Sequence, residues 1–278
     1  PAVNISLPAT ACIGANTSIS TGMAAGATYS WNFGAGATPA SPVGNGPHSV
    51  SWLATGTKTI SLSATQNGCT ANASSTIAVQ ALPGASFSLP ATACAGTQVN
   101  IAYTGSSPAS ASFNWNFGVG ATPATASGIG PHQVSFTAGN KIVSLSVTEN
   151  GCTSTPFTQG ISISPSPTAS FSLNSATCVN SAATANYTGS AGAGASFAWS
   201  YPGGTLLIGS GSGPLQISWS SAGVKTVSLV VTENGCSSTG GTANVTVNSP
   251  AVFSISSPGY AGVGMPATIT YSGTQPAG

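Results

Sequence analysis

The chain repeats itself, and the length of the repeat limits what it can fold into. Cys12, Tyr29-Ser30-Trp31-Asn32-Phe33-Gly34, Pro47-His48, Lys58 and Asn67-Gly68-Cys69 form one frame. The frame returns as Cys94, Phe113-Asn114-Trp115-Asn116-Phe117-Gly118, Pro131-His132, Lys141 and Asn150-Gly151-Cys152. It returns again as Cys178, Phe197-Ala198-Trp199, Pro214-Leu215, Lys225 and Asn234-Gly235-Cys236. The first cysteines step by 82 (94 − 12) and then by 84 (178 − 94). That period is too long for a solenoid turn or a propeller blade and suits a small domain with its own core. The repeats run 1–82, 83–165 and 166–249, and 250–278 begins a fourth.

Each repeat reads as strands. Val50-Ser51-Trp52, Ile60-Ser61-Leu62, Val143-Ser144-Leu145-Ser146-Val147 and Ile161-Ser162-Ile163 alternate apolar with small polar residues, the period-two pattern of a half-buried strand. In the first repeat the pattern predicts strands over 3–7, 17–20, 28–33, 48–53, 57–65 and 75–80. Asn67-Gly68 is a tight-turn signal. No stretch has helical periodicity and none has the ~18 consecutive apolar residues of a membrane span. The expected fold class is all-β: tandem immunoglobulin-like antiparallel sandwiches. The links Leu82-Pro83-Gly84, Ser164-Pro165-Ser166-Pro167 and Ser249-Pro250 are short and proline-bearing, hence stiff, so an elongated rod is expected. The fourth unit, too short to bury a sandwich core, is either the start of a longer array or a joint completed by a neighbouring subunit. The chain opens at Pro1, as a processed protein or an excerpt from a longer one would.

Charge narrows the chemistry. Only 2% of residues are charged: three Lys, two Glu, no Asp and no Arg. An ordinary domain has roughly a quarter. No repeat holds two carboxylates for general acid–base work, and there is no Asp for a calcium loop. A net charge of +1 argues against nucleic acid. Hydrophobic residues at 41% argue against disorder. No catalytic residue, cofactor or metal site is expected.

Two cysteines recur per repeat at a nearly constant separation: Cys12 and Cys69, Cys94 and Cys152, Cys178 and Cys236. Two disulfide schemes respect the repetition. Each repeat closes on itself as Cys12–Cys69, Cys94–Cys152 and Cys178–Cys236, or neighbours are stapled as Cys69–Cys94 and Cys152–Cys178. The fourth repeat has Tyr260 where its first cysteine belongs. Stapling would orphan Cys236 and self-closure orphans nothing, so self-closure is the expectation. Reduced buried thiols are the plainer alternative. Zinc would need more ligands than two cysteines and one His per repeat. Disulfides point to a secreted or cell-surface setting.

Tyr29-Ser30-Trp31-Asn32-Phe33-Gly34-Ala35-Gly36 and Phe113-Asn114-Trp115-Asn116-Phe117-Gly118-Val119-Gly120 resemble the Tyr-x-Trp-Asp-Phe-Gly-Asp-Gly signature of PKD (polycystic kidney disease) domains. Gly56-Thr57-Lys58-Thr59-Ile60-Ser61-Leu62-Ser63-Ala64-Thr65 is similar to the family's Gly-x-Tyr-x-Val-x-Leu-x-Val strand. The resemblance covers 1–249 as three copies and 250–278 as the start of another, the third copy departing most at Trp199-Ser200-Tyr201-Pro202. Both signature Asp are missing throughout, so any role of theirs is not carried over. The resemblance implies spacer or adhesion modules of large repetitive bacterial surface adhesins.

Trp31, Trp115 and Trp199 are read as core anchors, a sugar-stacking platform being the alternative. His48 and His132 become Leu215 in the third copy, which argues against catalysis or metal binding there. Lys58, Lys141 and Lys225 share one repeat position, and Glu149 and Glu233 another. Solvated strand ends are the plain reading, charge contacts between domains the sharper one. The expected partners are copies of itself or further repeats, head to tail, with surface glycans a further candidate. The expected function is a non-catalytic filament or adhesin stalk. The alternative is a glycan-binding or spacer module of a secreted polysaccharide-degrading enzyme.

Overall fold

The computed structural model describes residues 3–22, 26–257, 259–260 and 262–274. The outermost residues of the expected first and fourth repeats, 1–2 and 275–278, lie outside these. All regular structure among the described residues is β. The chain divides into two compact units, Pro1–Ile163 and Ser164–Gly278.

The first unit holds two sandwiches. In the first, one sheet orders Thr10–Cys12, Cys69–Gln80, Gly56–Gln66 and Thr28–Asn32, and the facing sheet orders Thr17–Ile19, His48–Trp52 and Ala37–Thr38. The inward positions of the alternating strands, among them Ile19, Trp31, Phe33, Val50, Trp52, Ile60, Leu62 and Ile77, form its core. Each such large side chain contributes roughly 1.5–3 kcal/mol on burial. The long hairpin is set by its turn. Asn67 and Gly68 have φ of 51° and 76°, the left-handed pair a type I′ turn needs. Register then runs unbroken from Gln66↔Cys69 to Gly56↔Val79. The last strand therefore begins at Cys69, well before the start at Ser75 that the alternation pattern indicated. The first expected strand, 3–7, is reduced to the bridge Ser6↔Ser20.

The second sandwich repeats this plan with a more complete edge. Phe87–Ser88, Gln98–Tyr103, His132–Phe136 and Ala121–Thr122 make one sheet. Thr92–Cys94, Phe157–Ser164, Gly139–Glu149, Ser112–Asn116 and Thr125–Ser127 make the other. Trp115, Phe117, Val134, Val143 and Leu145 are fully buried between them. Here the hairpin breaks after Cys152–Thr153, because the Ser154 hydroxyl accepts the Val147 N–H at 3.0 Å.

In the second unit, Phe171–Leu173, Ala183–Tyr187, Leu215–Trp219 and Gly204–Ile208 face a sheet of Ala176–Cys178, Gly241–Asn248, Gly223–Glu233 and Ser196–Ser200. Val227, Leu229, Val231 and Val245 are buried there. Beyond it, Val252–Ser256 pairs antiparallel with Thr270–Thr274, and this hairpin leaves its apolar residues exposed: Phe253 is 63% and Ile255 65% accessible. Two facing sheets with short strands, the first cysteine strand running parallel to the last strand and the rest antiparallel, are an immunoglobulin-like sandwich.

Candidate functional site

The cysteines sit at opposite poles of each sandwich. Thr10–Cys12 pairs in parallel with the far end of the last strand, placing Cys12 beside Gln80. Cys69 opens that same strand, which Gln80 closes. At about 3.3 Å per residue the two ends lie roughly 36 Å apart, against the ~4.4–6.8 Å a disulfide allows between Cα atoms. Self-closure is therefore excluded by the strand order. Cys12 is instead bonded to Cys152 of the next sandwich, with Cα atoms 5.5 Å apart. Cys94 and Cys236 are also disulfide-bonded and occupy the same two repeat positions as Cys12 and Cys152. Cys69 and Cys178 are free and exposed. Neither sequence-level scheme anticipated this offset. The loss of a first cysteine at Tyr260, which favoured self-closure, is equally compatible with it.

Both partners of the bond are presented by fixed backbone. Past Cys12 the chain turns back, with Ile13 N–H donating to Gln80 O (2.9 Å), Gly14 N–H to Trp52 O (2.9 Å) and Ala15 N–H to Cys12 O (3.1 Å). Cys152 follows Asn150 and Gly151, whose φ of 50° and 80° repeat the tight turn, and it pairs with Glu149. Cys152 is buried to 1% exposure.

Beside the bond, Gln80–Gly84, Ser106, Ser107, Glu149 and Asn150 line a groove of ≈ 210 Å³ between the first two sandwiches. One side chain that sequence reading passed over organises it. Tyr103 donates its hydroxyl to Gly84 O at 2.8 Å and accepts the Ser107 N–H at 2.9 Å. It thus ties the linker to the second sandwich. Tyr187 does the same in the second unit, donating to Thr168 O and accepting from Ala191 N–H, each at 2.8 Å. The signal was present as Tyr-Thr-Gly-Ser at 103–106 and 187–190. The glycine is needed because a Cβ on Gly105 would collide with the Tyr103 ring.

The singled-out tryptophans are internal. Trp31 and Trp115 are buried and Trp199 is half-buried. Each indole N–H donates to a loop carbonyl: Gly44 O at 2.8 Å, Gly128 O at 2.9 Å and Gly211 O at 2.9 Å. His48 and His132 pack edge-on to Trp31 and Trp115 and share the same carbonyls through Nε2. Leu215 is buried where the third copy lacks the imidazole.

The lysines bond close to themselves in the chain, and Glu233 bonds within its own sandwich. Lys58 Nζ donates to Thr55 O, Lys141 to Thr137 Oγ1 and Lys225 to Ser221 Oγ, at 3.3, 3.0 and 3.0 Å. Glu233 accepts the Gly192 N–H at 2.9 Å, and Glu149 lies in the groove. The lysines thus reach acceptors three or four positions upstream. Among the described residues no group of three or more His, Cys, Asp or Glu could hold a metal, and no helix is long and apolar enough to cross a membrane.

No protein-family model matches the chain, and no curated protein matches it. Among solved structures it is similar to an I-band fragment of titin, at 9% identity over 90% of this chain and 99% of that one, with a TM-score of 0.39. The N-terminal eight immunoglobulin domains of Down Syndrome Cell Adhesion Molecule match at 9% identity over 98% of this chain and 40% of that one (TM-score 0.39). Chicken CNTN1 FN1–FN3 domains match at 8% identity over 87% and 97% (TM-score 0.30). Scores this low leave the fold assignment resting on the strand pairing described above.

Proposed function

We propose that this chain is a structural segment of an extracellular filament or cell-surface adhesin stalk, built from tandem PKD-like sandwiches bounded at 1–82, 83–165 and 166–249. One observation carries the reading: Cys12 and Cys152 join consecutive sandwiches covalently. A bond of that kind serves the connection between modules rather than the interior of either. Disulfides persist in oxidising surroundings, which supports a secreted or surface location. Lys58, Lys141, Lys225 and Glu233 are engaged in hydrogen bonds within their own sandwiches, which supports a structural role for the few charged side chains. The glycan-binding alternative needs aromatic faces open to solvent: Trp31, Trp52, Trp115 and Trp219 are buried, and the most exposed aromatics, Phe253, Tyr260 and Tyr271, all lie in the fourth repeat.

Electron microscopy of purified native material, prepared without reductant, tests the reading. Long uniform fibres with an axial repeat of a few sandwiches are expected. Short separate particles at all concentrations would reject the filament role.

A further inference from the structure

The two free cysteines are complementary halves of the bond already made between the first two sandwiches. Cys178 stands in the frame of Cys12. Its strand runs parallel to the last strand of its sandwich, with Cys178 beside Asn248. Val179 N–H donates to Asn248 O (3.0 Å), Asn180 N–H to Trp219 O (2.8 Å) and Ser181 N–H to Cys178 O (3.0 Å). Those are the three hydrogen bonds that hold the chain around Cys12. Cys69 stands in the frame of Cys152. It follows an Asn-Gly turn of the same dihedrals and pairs with Gln66 as Cys152 does with Glu149. Thr65 and Thr70 share a hydroxyl hydrogen bond of 2.8 Å across the hairpin, as Thr148 and Thr153 do. The difference between the frames is cover. Cys152 and Cys236, both disulfide-bonded, are each 1% exposed, whereas Cys69 lies open.

We propose that Cys178 of one copy of this chain and Cys69 of a second copy form a disulfide, extending the offset bonding between molecules. This rests on the reading of the chain as a head-to-tail array. The contact is heterologous, a first-position cysteine on a second-position one, so it propagates as an open chain rather than closing into a symmetric dimer. The oxidant is a small-molecule disulfide such as oxidised glutathione. One cysteine thiolate attacks it, releasing one glutathione and leaving a mixed disulfide. The second cysteine thiolate attacks the protein sulfur of that mixed disulfide, releasing the other glutathione. Two protein thiols become one S–S bond, and their two protons and two electrons end on two glutathione thiols.

The test is oxidation of the purified chain in a glutathione redox buffer, read on non-reducing gels and by peptide mapping. Wild type should give a ladder of covalent oligomers that collapses on reduction. Cys69→Ser and Cys178→Ser, each alone, should give no ladder, and a mixture of the two should give one heterodimer band containing a Cys178–Cys69 cross-linked peptide. The double variant should keep the wild-type thermal transition, because both residues are exposed and unbonded. Wild type that stays monomeric, or cross-links found only as Cys69–Cys69 and Cys178–Cys178, would overturn the proposal. Fibres formed equally by the double variant would overturn the bond as the joint while leaving the filament reading in place. A covalent ladder without fibres would uphold the bond and reject the filament.

Discussion

Asn32 and Asn116 show how a side chain can hold the turn that follows it. Their Oδ1 atoms accept the N–H of Gly34 and Gly118 at 2.8 and 2.9 Å, a local turn that Asn and Asp make equally well. Asn116→Asp should therefore leave the stability of the second sandwich, read from its urea transition, within about 0.5 kcal/mol, and Asn116→Ala should cost about 1 kcal/mol. Equal losses from both would remove the turn as the reason for the residue. Tyr103 is a stricter case, because its hydroxyl serves two backbone groups at once. Tyr103→Phe should cost about 1–3 kcal/mol by leaving Ser107 N–H unpaired. Hydrogen exchange at the Ser107 amide reads this directly, and unchanged protection there would contradict it. The residues that carry period-two hydrophobicity were legible from the sequence, because burial alone dictates them. Tyr103 was not, since its role depends on Gly84 O, a linker carbonyl remote from it in the sequence.

At the scale of strands and hairpins, the same local pattern has two fates. Phe87, in the second sandwich, is 5% exposed and packs edge-on to Trp115, whereas Phe253, its counterpart in the fourth repeat, is 63% exposed. The register also differs. Phe87 pairs with Tyr103, while Phe253 pairs with Gly273 and leaves Tyr271 to Ile255. Phe87→Ala should cost about 3–5 kcal/mol, and Phe253→Ala should change the sandwiches' thermal unfolding by no more than about 0.5 kcal/mol. Comparable losses would mean the hairpin is packed in solution. Hairpin positions followed from Asn-Gly turns and alternation. The disulfide pairing did not, because spacing along a chain says nothing of which end of a strand a residue occupies. Only the parallel pairing of Cys12 with Gln80 reveals that the two cysteines of a repeat point toward different neighbours.

For the whole molecule, the shortage of charge should govern its response to surroundings. Three Lys, two Glu and two His in 278 residues are few groups through which bound protons can differ between folded and unfolded states, and that difference sets the pH slope of stability. The oxidised protein's Tm should move by less than about 5 °C between pH 4 and 8, and hardly at all between low and high salt. A steep acid transition would contradict this expectation. The Cys12–Cys152 bond sets a different property, the path of mechanical tension. Pulled between its first strand and the end of the second sandwich, the oxidised chain transmits force through one S–S bond, and the stretch between, a sequence separation of 140, carries none. The Cα atoms of Cys12 and Cys152, 5.5 Å apart, stay joined however hard the segment is stretched, whereas reduction frees roughly 480 Å of contour length. Force spectroscopy with and without reductant would read that hidden length, and through it the redox state of the surroundings becomes the setting of the segment's extensibility.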